Sequence, residues 1–516
     1  MALILGIDAG TTSLKSGVFD DRGLQLAVSG EEYTLHTPDA LRAELDPETY
    51  WRALRSTVTR ALERAGARPA DVTALAVSSQ GETVIPIGRD DSVIGPALVW
   101  LDNRAGDEAL ELARQFDPAT IYEATGVPAI VPTWTACKLL WWRRHAPEVF
   151  HGAARFLLVE DFLLQRLTGR YVTEGGVQCT SLLYDIRHHR WWQPMLDYLE
   201  LTPDRLPELS APGVVVGTLR AEAAAALGLP RSVAVIAGGM DQGAGAVGVG
   251  NIGPGIISES TGGALTLQAS VDRPDGDPSR QTPVYVHSAP GRYLYCPVCP
   301  TGGMALTWFR DQFGEVEVER ARREGRSAYE LLTELAATVP PGAEGLTMLP
   351  HLMGAFSPEY DPNARGVFFG FTLRHRKAHF ARAILEAVAF MLRRNLELLA
   401  TAGASAAEIH SHGGGARSRL WSQIKADVCT LPVVTMEGED AAIRGDAILA
   451  GVATGLFADL AEACRAMVVA RERFEPDPAA RETYDVAYAR YLELFEALRP
   501  MFAAIGPAGA GPQAGH

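Results

Sequence analysis

The feature that most constrains the fold is a pattern that occurs twice: an apolar strand, a short turn of glycine and hydroxyl residues, and a second strand returning from it. Leu3 to Ile7 is apolar, Ala9-Gly10-Thr11-Thr12 makes the turn, and Leu14 to Phe19 pairs back, with Asp21-Arg22-Gly23 turning again towards Leu24 to Val28. This spacing predicts an antiparallel meander. In the second half Ile256 and Ile257 lead to Glu259-Ser260-Thr261-Gly262-Gly263, followed by the alternating Ala264-Leu265-Thr266-Leu267. A chain that opens each half this way is expected to build two α/β lobes of similar design facing each other. Length agrees, because 516 residues are too many for one hydrophobic core. The boundary falls near Gly250 to Gly255, giving domains over 1–250 and 251–500. Residues 501–516, rich in Gly, Pro and Ala from Gly506 onward, are expected to form a disordered tail.

Between these landmarks, Asp46-Pro47-Glu48 reads as an N-cap, a first-turn proline and an early acid, so Tyr50 to Ala65 is expected to be a helix. Val72 to Val77 reads as a strand that opens into Ser78-Ser79-Gln80-Gly81-Glu82, a position where loops often carry chemistry. Val233 to Ile257 is almost free of charge, but Asp241, Pro254 and its glycines suit buried core better than a membrane span. Met1 to Gly6 has no basic residue and resembles no secretion signal, so a cytoplasmic location is expected. Lys+Arg 47 against Asp+Glu 62 leaves a net charge of −15, which opposes nucleic acid and anionic lipid as partners. Six cysteines in so long a chain indicate no disulfide framework, and Cys296-Pro-Val-Cys299 lacks the second pair that a zinc site needs.

The turns at Gly10 to Ser13, Thr261 to Gly263 and Gly413 to Ser418 offer backbone N–H groups with little side-chain bulk, the chemistry that cradles phosphate oxygens. A Walker-type loop is excluded, because the only lysines are Lys15, Lys138, Lys377 and Lys425 and none follows a glycine. Gly243-Ala-Gly245-Ala-Val-Gly248 matches a dinucleotide fingerprint, but Gly238 to Gln242 stands between strand and motif, so these glycines are expected to pack a helix instead. Asp8 and Asp241 each follow an apolar strand beside a glycine-rich turn. If both reach one site, one carboxylate can hold hydrated Mg²⁺ at the phosphates while the other takes a proton from an attacking alcohol.

Several ordered segments resemble the FGGY carbohydrate kinases, the glycerol kinase and xylulokinase family within the actin-like (ribonuclease H-like) ATPase fold. Thr135-Ala-Cys-Lys138-Leu-Leu-Trp141 is similar to the first family signature, with Thr133 and Trp142 departing from it. Gly366-Val-Phe-Phe-Gly370, with His379-Phe380 and Ala383-Ile-Leu-Glu386, is similar to the second, with Phe371 departing. Trp100-Leu-Asp102-Asn-Arg104 resembles the W-x-D-x-R segment, and Gly239-Met-Asp241-Gln-Gly-Ala-Gly-Ala-Val-Gly the catalytic one.

The resemblance implies two actin-like domains with a cleft between them, and an ATP- and Mg²⁺-dependent kinase acting on a small sugar or polyol. It makes Asp241 the general base, and Asp8 with Asp241 the metal ligands. Thr11, Thr12, Ser13 and Lys15 would hold the terminal phosphate, Thr261, Gly262, Gly303 and Thr307 the other phosphates, and Gly414, Gly415 and Ala416 the adenine. Arg419 stands where glycerol kinases carry Asn. Gln80, Glu82, Trp100, Asp102 and Gln242, with Asp241, would line the sugar, although Trp100 also suits core packing and Asp102 also suits a pair with Arg104. Gly81 replaces the arginine of glycerol kinases, which implies a larger pocket, and the run Gly243 to Gly250, similar to that of xylulokinases, implies a ketopentose such as D-xylulose. Glycerol, erythritol or another polyol stays open as acceptor, as does an actin-like ATPase without a sugar substrate. A homodimer is compatible with the family.

Overall fold

The structure, a computed structural model of the chain, describes residues 2–438 and 440–505. It divides into two compact units, the first formed by 2–253, 270–294 and 440–469, the second by 254–269, 295–438 and 470–505. These units interleave along the chain and so differ from a division by chain order at 1–250 and 251–500, and glycine packing gives the reason. The helix Ala441–Ala453 lies so close to the first unit's backbone that a Cβ on Gly6 would stand 1.9 Å from the Ile443 carbonyl oxygen. One on Gly248 would meet the Ala441 oxygen at 1.8 Å, and one on Gly445 the Ala244 oxygen at 1.8 Å. Any side chain at these positions would push the helix off its seat. The glycines of the 243–248 motif thus pack a helix, as expected. Residues 501–505, expected in the disordered tail, instead complete the helix Arg481–Ile505, where Phe502 is buried; Gly506 to His516 lie outside the described residues.

The first unit is built on six strands: β1 Leu3–Ala9, β2 Ser13–Asp20, β3 Gln25–Glu32, β4 Val72–Ser79, β5 Val215–Thr218 and β6 Ala234–Met240. Their order is β5-β6-β4-β1-β2-β3, with β1, β4 and β6 parallel and the other pairings antiparallel. The helix Glu48–Ala65 turns Tyr50, Leu54, Val58, Ala61 and Leu62 onto one face, alongside Phe162 and Leu163 of the helix Val159–Thr168. The opposite face packs Ile4, Phe19, Ala76 and Ile236 against Val247, Ala447 and Ile448. Covering both faces explains why β1, β4 and β6 read as near-continuous apolar runs. The uncharged stretch Val233 to Ile257 contains β6 and the helix Asp241–Gly248, and no helix among the described residues is long and apolar enough to cross a membrane.

The second unit repeats this plan with β7 Gly255–Thr261, β8 Leu265–Val271, β9 Val298–Cys299, β10 Ala406–His412, β11 Val433–Met436 and β12 Ala470–Phe474. Here β7, β10 and β11 run parallel, β8 and β9 continue as an antiparallel meander, and β12 closes the far edge antiparallel to β11. The order β12-β11-β10-β7-β8 matches β5-β6-β4-β1-β2 of the first unit, so the duplication legible in two turns extends through both sheets.

Candidate active site

Register places the first unit's chemistry. Asp8 and Gly239 both pair with Ser78, while Ala9 and Met240 both pair with Ser79, so the three parallel strands end in one row. Ligands of α/β sheets bind outside such carboxyl ends. Asp8 stands on β1, Gln80 and Glu82 on the loop after β4, and Asp241 opens the helix after β6, where the helix N-terminus favours a negative charge. The Gln242 amide donates to Asp241 Oδ1 at 2.6 Å.

These carboxylates feel one another. Burial first, then the charge of Asp241, pushes Asp8 up to about 7. Burial raises Asp241 to about 6, against the opposing Gln242 amide. Loss of solvent raises Glu82 to about 8, with Lys138 opposing and Asp241 adding to the shift. Asp8 Oδ1, Gln80 Oε1 and Gln242 Oε1 are buried with no hydrogen-bond partner among the described residues. Unmet buried acceptors of this kind are rare and need a partner. Mg²⁺ binds through one or two carboxylates plus phosphates and water. Asp8 and Asp241 fit that role, whereas no group of three His, Cys, Asp or Glu among the described residues could hold a metal alone. The donor set suits an ion that arrives with phosphates.

The sugar-side residues divide. Glu82 adopts φ +56°, the left-handed region that a non-glycine residue enters at a cost. Its carbonyl is held by Thr135 Oγ1 and Lys138 Nζ, each at 3.2 Å. Gln80 Nε2 donates to the Tyr50 hydroxyl at 2.8 Å. Trp100 is not core: it is 37% exposed, and its Nε1 donates to Thr11 Oγ1 at 2.7 Å. Asp102 is fully buried, and its oxygens accept from Arg104 and from the Ala43 amide at 2.7 Å, so the pair with Arg104 that it also suits is formed and fixes the loop. A Cβ on Gly81 would stand 2.5 Å from Thr180 Oγ1, so Thr180 packs directly against the glycine that stands in place of the arginine.

Around the first turn, the Gly10 amide donates to the Ser13 carbonyl, and the Tyr33 hydroxyl to the Gly10 carbonyl. Thr12 is exposed, while Thr11 and Ser13 are half-buried. Lys15, expected at the terminal phosphate, is paired with Asp440 at 2.5 Å. In the second unit, the Gly303 amide donates to the Gly262 carbonyl at 2.8 Å, seating the start of the helix Met304–Phe313 on the Thr261–Gly263 turn. Thr307 Oγ1 meets the Tyr329 hydroxyl at 2.9 Å. A Cβ on Gly415 would come within 2.6 Å of Thr261 Cβ, so the 413–416 turn lies directly on Thr261. Thr261, Gly262, Gly303, Gly414, Gly415 and Ala416 therefore gather in one place. Arg419 pairs with Glu472, and Arg471 Nη2 donates to the Ala416 carbonyl at 2.5 Å.

Sequence reasoning missed several supports. Ser78 donates to Asp446, a fully buried acid on the helix Ala441–Ala453, at 2.8 Å. Glu160 Oε1 accepts from the Gly239 amide at 2.9 Å, just before Asp241. Burial first, and neighbouring acids second, hold Asp446 and Glu160 well above the usual carboxylate range. Neither has a local sequence signal, since each partner lies far along the chain.

Two units of one strand order, each with glycine turns at the carboxyl ends of its parallel strands, define the two-domain actin-like kinase fold. Comparison with known proteins makes this particular. The model of the N-terminal domain of the FGGY family of carbohydrate kinases matches residues 3–248, and that of the C-terminal domain matches residues 261–454. The chain belongs to the FGGY family of carbohydrate kinases. It is 29% identical to a gluconokinase of Bacillus licheniformis over 497 residues, 96% of each chain. It is also 29% identical to a xylulose kinase of Lactococcus lactis over 500 residues, 96% of this chain and 97% of the relative. The crystal structure of a ligand-bound xylulose kinase from Lactobacillus acidophilus superposes with a TM-score of 0.89 at 27% identity, covering 98% of this chain and 100% of that one.

Proposed function

We propose that this sugar kinase transfers the terminal phosphoryl group of ATP to a hydroxyl of a ketopentose such as D-xylulose, with Asp241 as the general base. The observation that carries the reading is the meeting of Asp8, Asp241 and Glu82 at the carboxyl ends of β1, β4 and β6. A base held at about 6 is deprotonated at neutral pH yet still basic enough to take a hydroxyl proton in the transition state. Glu82, at about 8, is neutral at the same pH and can donate a hydrogen bond to a sugar oxygen. Gln80 and Gln242 keep buried carbonyl oxygens ready for sugar hydroxyls. Asp8 and Asp241 would hold Mg²⁺, which when bound neutralises phosphate charge. The nucleotide is assigned to the Thr11–Ser13 turn with Lys15, and to Thr261, Gly262, Gly303, Thr307 and Gly414 to Ala416. Water is the competing acceptor, so the sugar must be positioned before transfer.

The equal likeness to a gluconokinase supports a second reading, with a sugar acid as acceptor. Charge argues for the neutral sugar, since an acid would enter the field of Asp8 and Asp241. Asp241→Asn should lower turnover by about 10²–10⁴-fold while ATP still binds. Turnover within threefold of wild type would remove Asp241 as the base. ATP consumption measured with D-xylulose, gluconate, erythritol and glycerol decides the acceptor, and ATP hydrolysis indifferent to all of them would favour an ATPase without a sugar.

A further inference from the structure

Beneath the second unit's turns lies an ion pair with no counterpart in the roles above. Lys425, on the helix Arg419–Cys429, and Glu259, on β7, are both fully buried. Lys425 Nζ donates to both Glu259 oxygens at 2.9 Å and to Thr261 Oγ1 at 2.8 Å. Thr261 Oγ1 in turn donates to Glu259 Oε1, and Ser411 Oγ to Glu259 Oε2 at 2.6 Å. Ser411 is the penultimate residue of β10, just before the 413–416 turn, and Thr261 ends β7 where the other turn begins. One carboxylate therefore binds the roots of both turns, and the helix beyond them through Lys425.

Two consequences follow. The Thr261 hydroxyl donates to Glu259 and accepts from Lys425, so it is committed inward, and the Gly262 amide is likewise held within the turn, by the Ala264 carbonyl at 3.0 Å. The carboxylate also sits directly under an anion site, where a bare negative charge would repel phosphates through a medium of low dielectric. Lys425 cancels that charge. We infer that Glu259 and Lys425 are positioning residues for the nucleotide: together they hold the Thr261–Gly263 and Gly413–Ala416 turns in register and keep the phosphate turn free of net negative charge. Neither residue touches ATP in this account. The inference rests on the proposed nucleotide role of these turns.

Lys425→Met leaves Glu259 buried and unpaired, and should raise KM for ATP about 10–100-fold while KM for the sugar stays within twofold. Glu259→Gln with Lys425→Met removes both charges and should recover at least tenfold of that loss, which a merely structural role would not predict. Ser411→Ala, a smaller change that preserves the ion pair, should raise KM for ATP about threefold, and it keeps the test readable should Lys425→Met fail to fold. The reading beneath the inference has its own control. Gly262 is exposed, and a Cβ there meets nothing within 4 Å, so Gly262→Glu adds a negative charge to the turn without a clash. If Gly262→Glu leaves KM for ATP unchanged, the turn is not the phosphate site and that reading fails. If Gly262→Glu raises it while folded Lys425→Met or Ser411→Ala does not, the positioning role alone is overturned.

Discussion

Two of the four lysines in this chain are fully buried, one in each unit, and they solve the same electrostatic problem differently. Lys425 has a carboxylate partner in bonding contact on both oxygens. Lys138 instead donates to three backbone carbonyls, those of Glu82, Leu98 and Val99, at 3.2, 3.4 and 2.9 Å. Burial pushes Lys138 down to about 8, against the pull of Glu82 and Asp102. The paired lysine suits a turn assigned to phosphate, where net charge must stay low. The unpaired one suits a loop assigned to a neutral sugar, where what matters is the path of the backbone at Glu82. Each buried ammonium organises the ligand side of its own unit.

The strongest way to break this comparison is to remove the unpaired lysine. Lys138→Met takes one donor from each of three buried carbonyls, which keep the Thr135 hydroxyl, the Val84 amide and the Asp102 amide as their second donors, and it no longer buries a charge. A net loss of about 1–2 kcal/mol in denaturant unfolding is expected. KM for the sugar should rise about 30-fold or more as Glu82 leaves its φ +56° conformation, with KM for ATP changing less than threefold. That is the mirror image of Lys425→Met. If both variants raised the same KM, the two lysines would not divide the site as described.

A smaller effect separates two buried groups of the first unit by pH. Asp8 moves from an ordinary 3.8 to about 7 in the folded protein. A raised carboxylate adds stability that is fully present below 3.8 and is lost as pH rises through about 7. Lys138, lowered from 10.5 to about 8, works in the other direction: its contribution is present above 10.5 and is lost as pH falls through about 8. Asp8→Asn removes the first contribution without touching the second. The ligand-free variant should therefore gain on wild type as pH is raised from about 5 to 8, by about 2–4 °C in Tm at the upper end. A Tm difference that stays flat across that range would show that the Asp8 carboxyl is not desolvated in the fold.

What could be read in the sequence follows the reach of each interaction. The turns at 10–13, 261–263 and 413–416 were legible because tight turns demand small residues locally, and both meanders because strand and turn signals are local too. The pairing of Asp102 with Arg104, two residues apart, was legible for the same reason. Glu259 and Lys425 stand 166 positions apart, and Ser78 and Asp446 stand 368 apart, so nothing in either neighbourhood announces the bond. The seat of the helix Ala441–Ala453 depends on Gly6 and Gly248 meeting its backbone and on its own Gly445 meeting the Ala244 backbone, and sequence order alone hides this. Position 81 is alike, since the sequence shows a missing side chain but not Thr180, which packs on the glycine.

That last point yields the mildest test of the comparison, a methyl group added to each unit's turn. At Gly81 the new Cβ would lie 2.5 Å from Thr180 Oγ1 and 3.3 Å from its Cβ. Thr180 is fully buried and its hydroxyl donates to the Val177 carbonyl at 3.0 Å, so it yields only at the cost of that bond. Gly81→Ala should raise KM for the sugar about 5–10-fold, roughly the value of one strained contact and one weakened hydrogen bond. Thr180→Gly in the same chain should restore most of it, because the clash and its cause are then both gone. At Gly262 the added methyl meets open space, and the backbone needs no left-handed conformation there. Gly262→Ala should thus leave KM for ATP within about twofold, since the methyl removes no backbone N–H and displaces no neighbour. A large ATP effect from that methyl would mean that the ligand approaches Gly262 from the side of its Cα, and the turn would then owe its selectivity to shape more than to its amides.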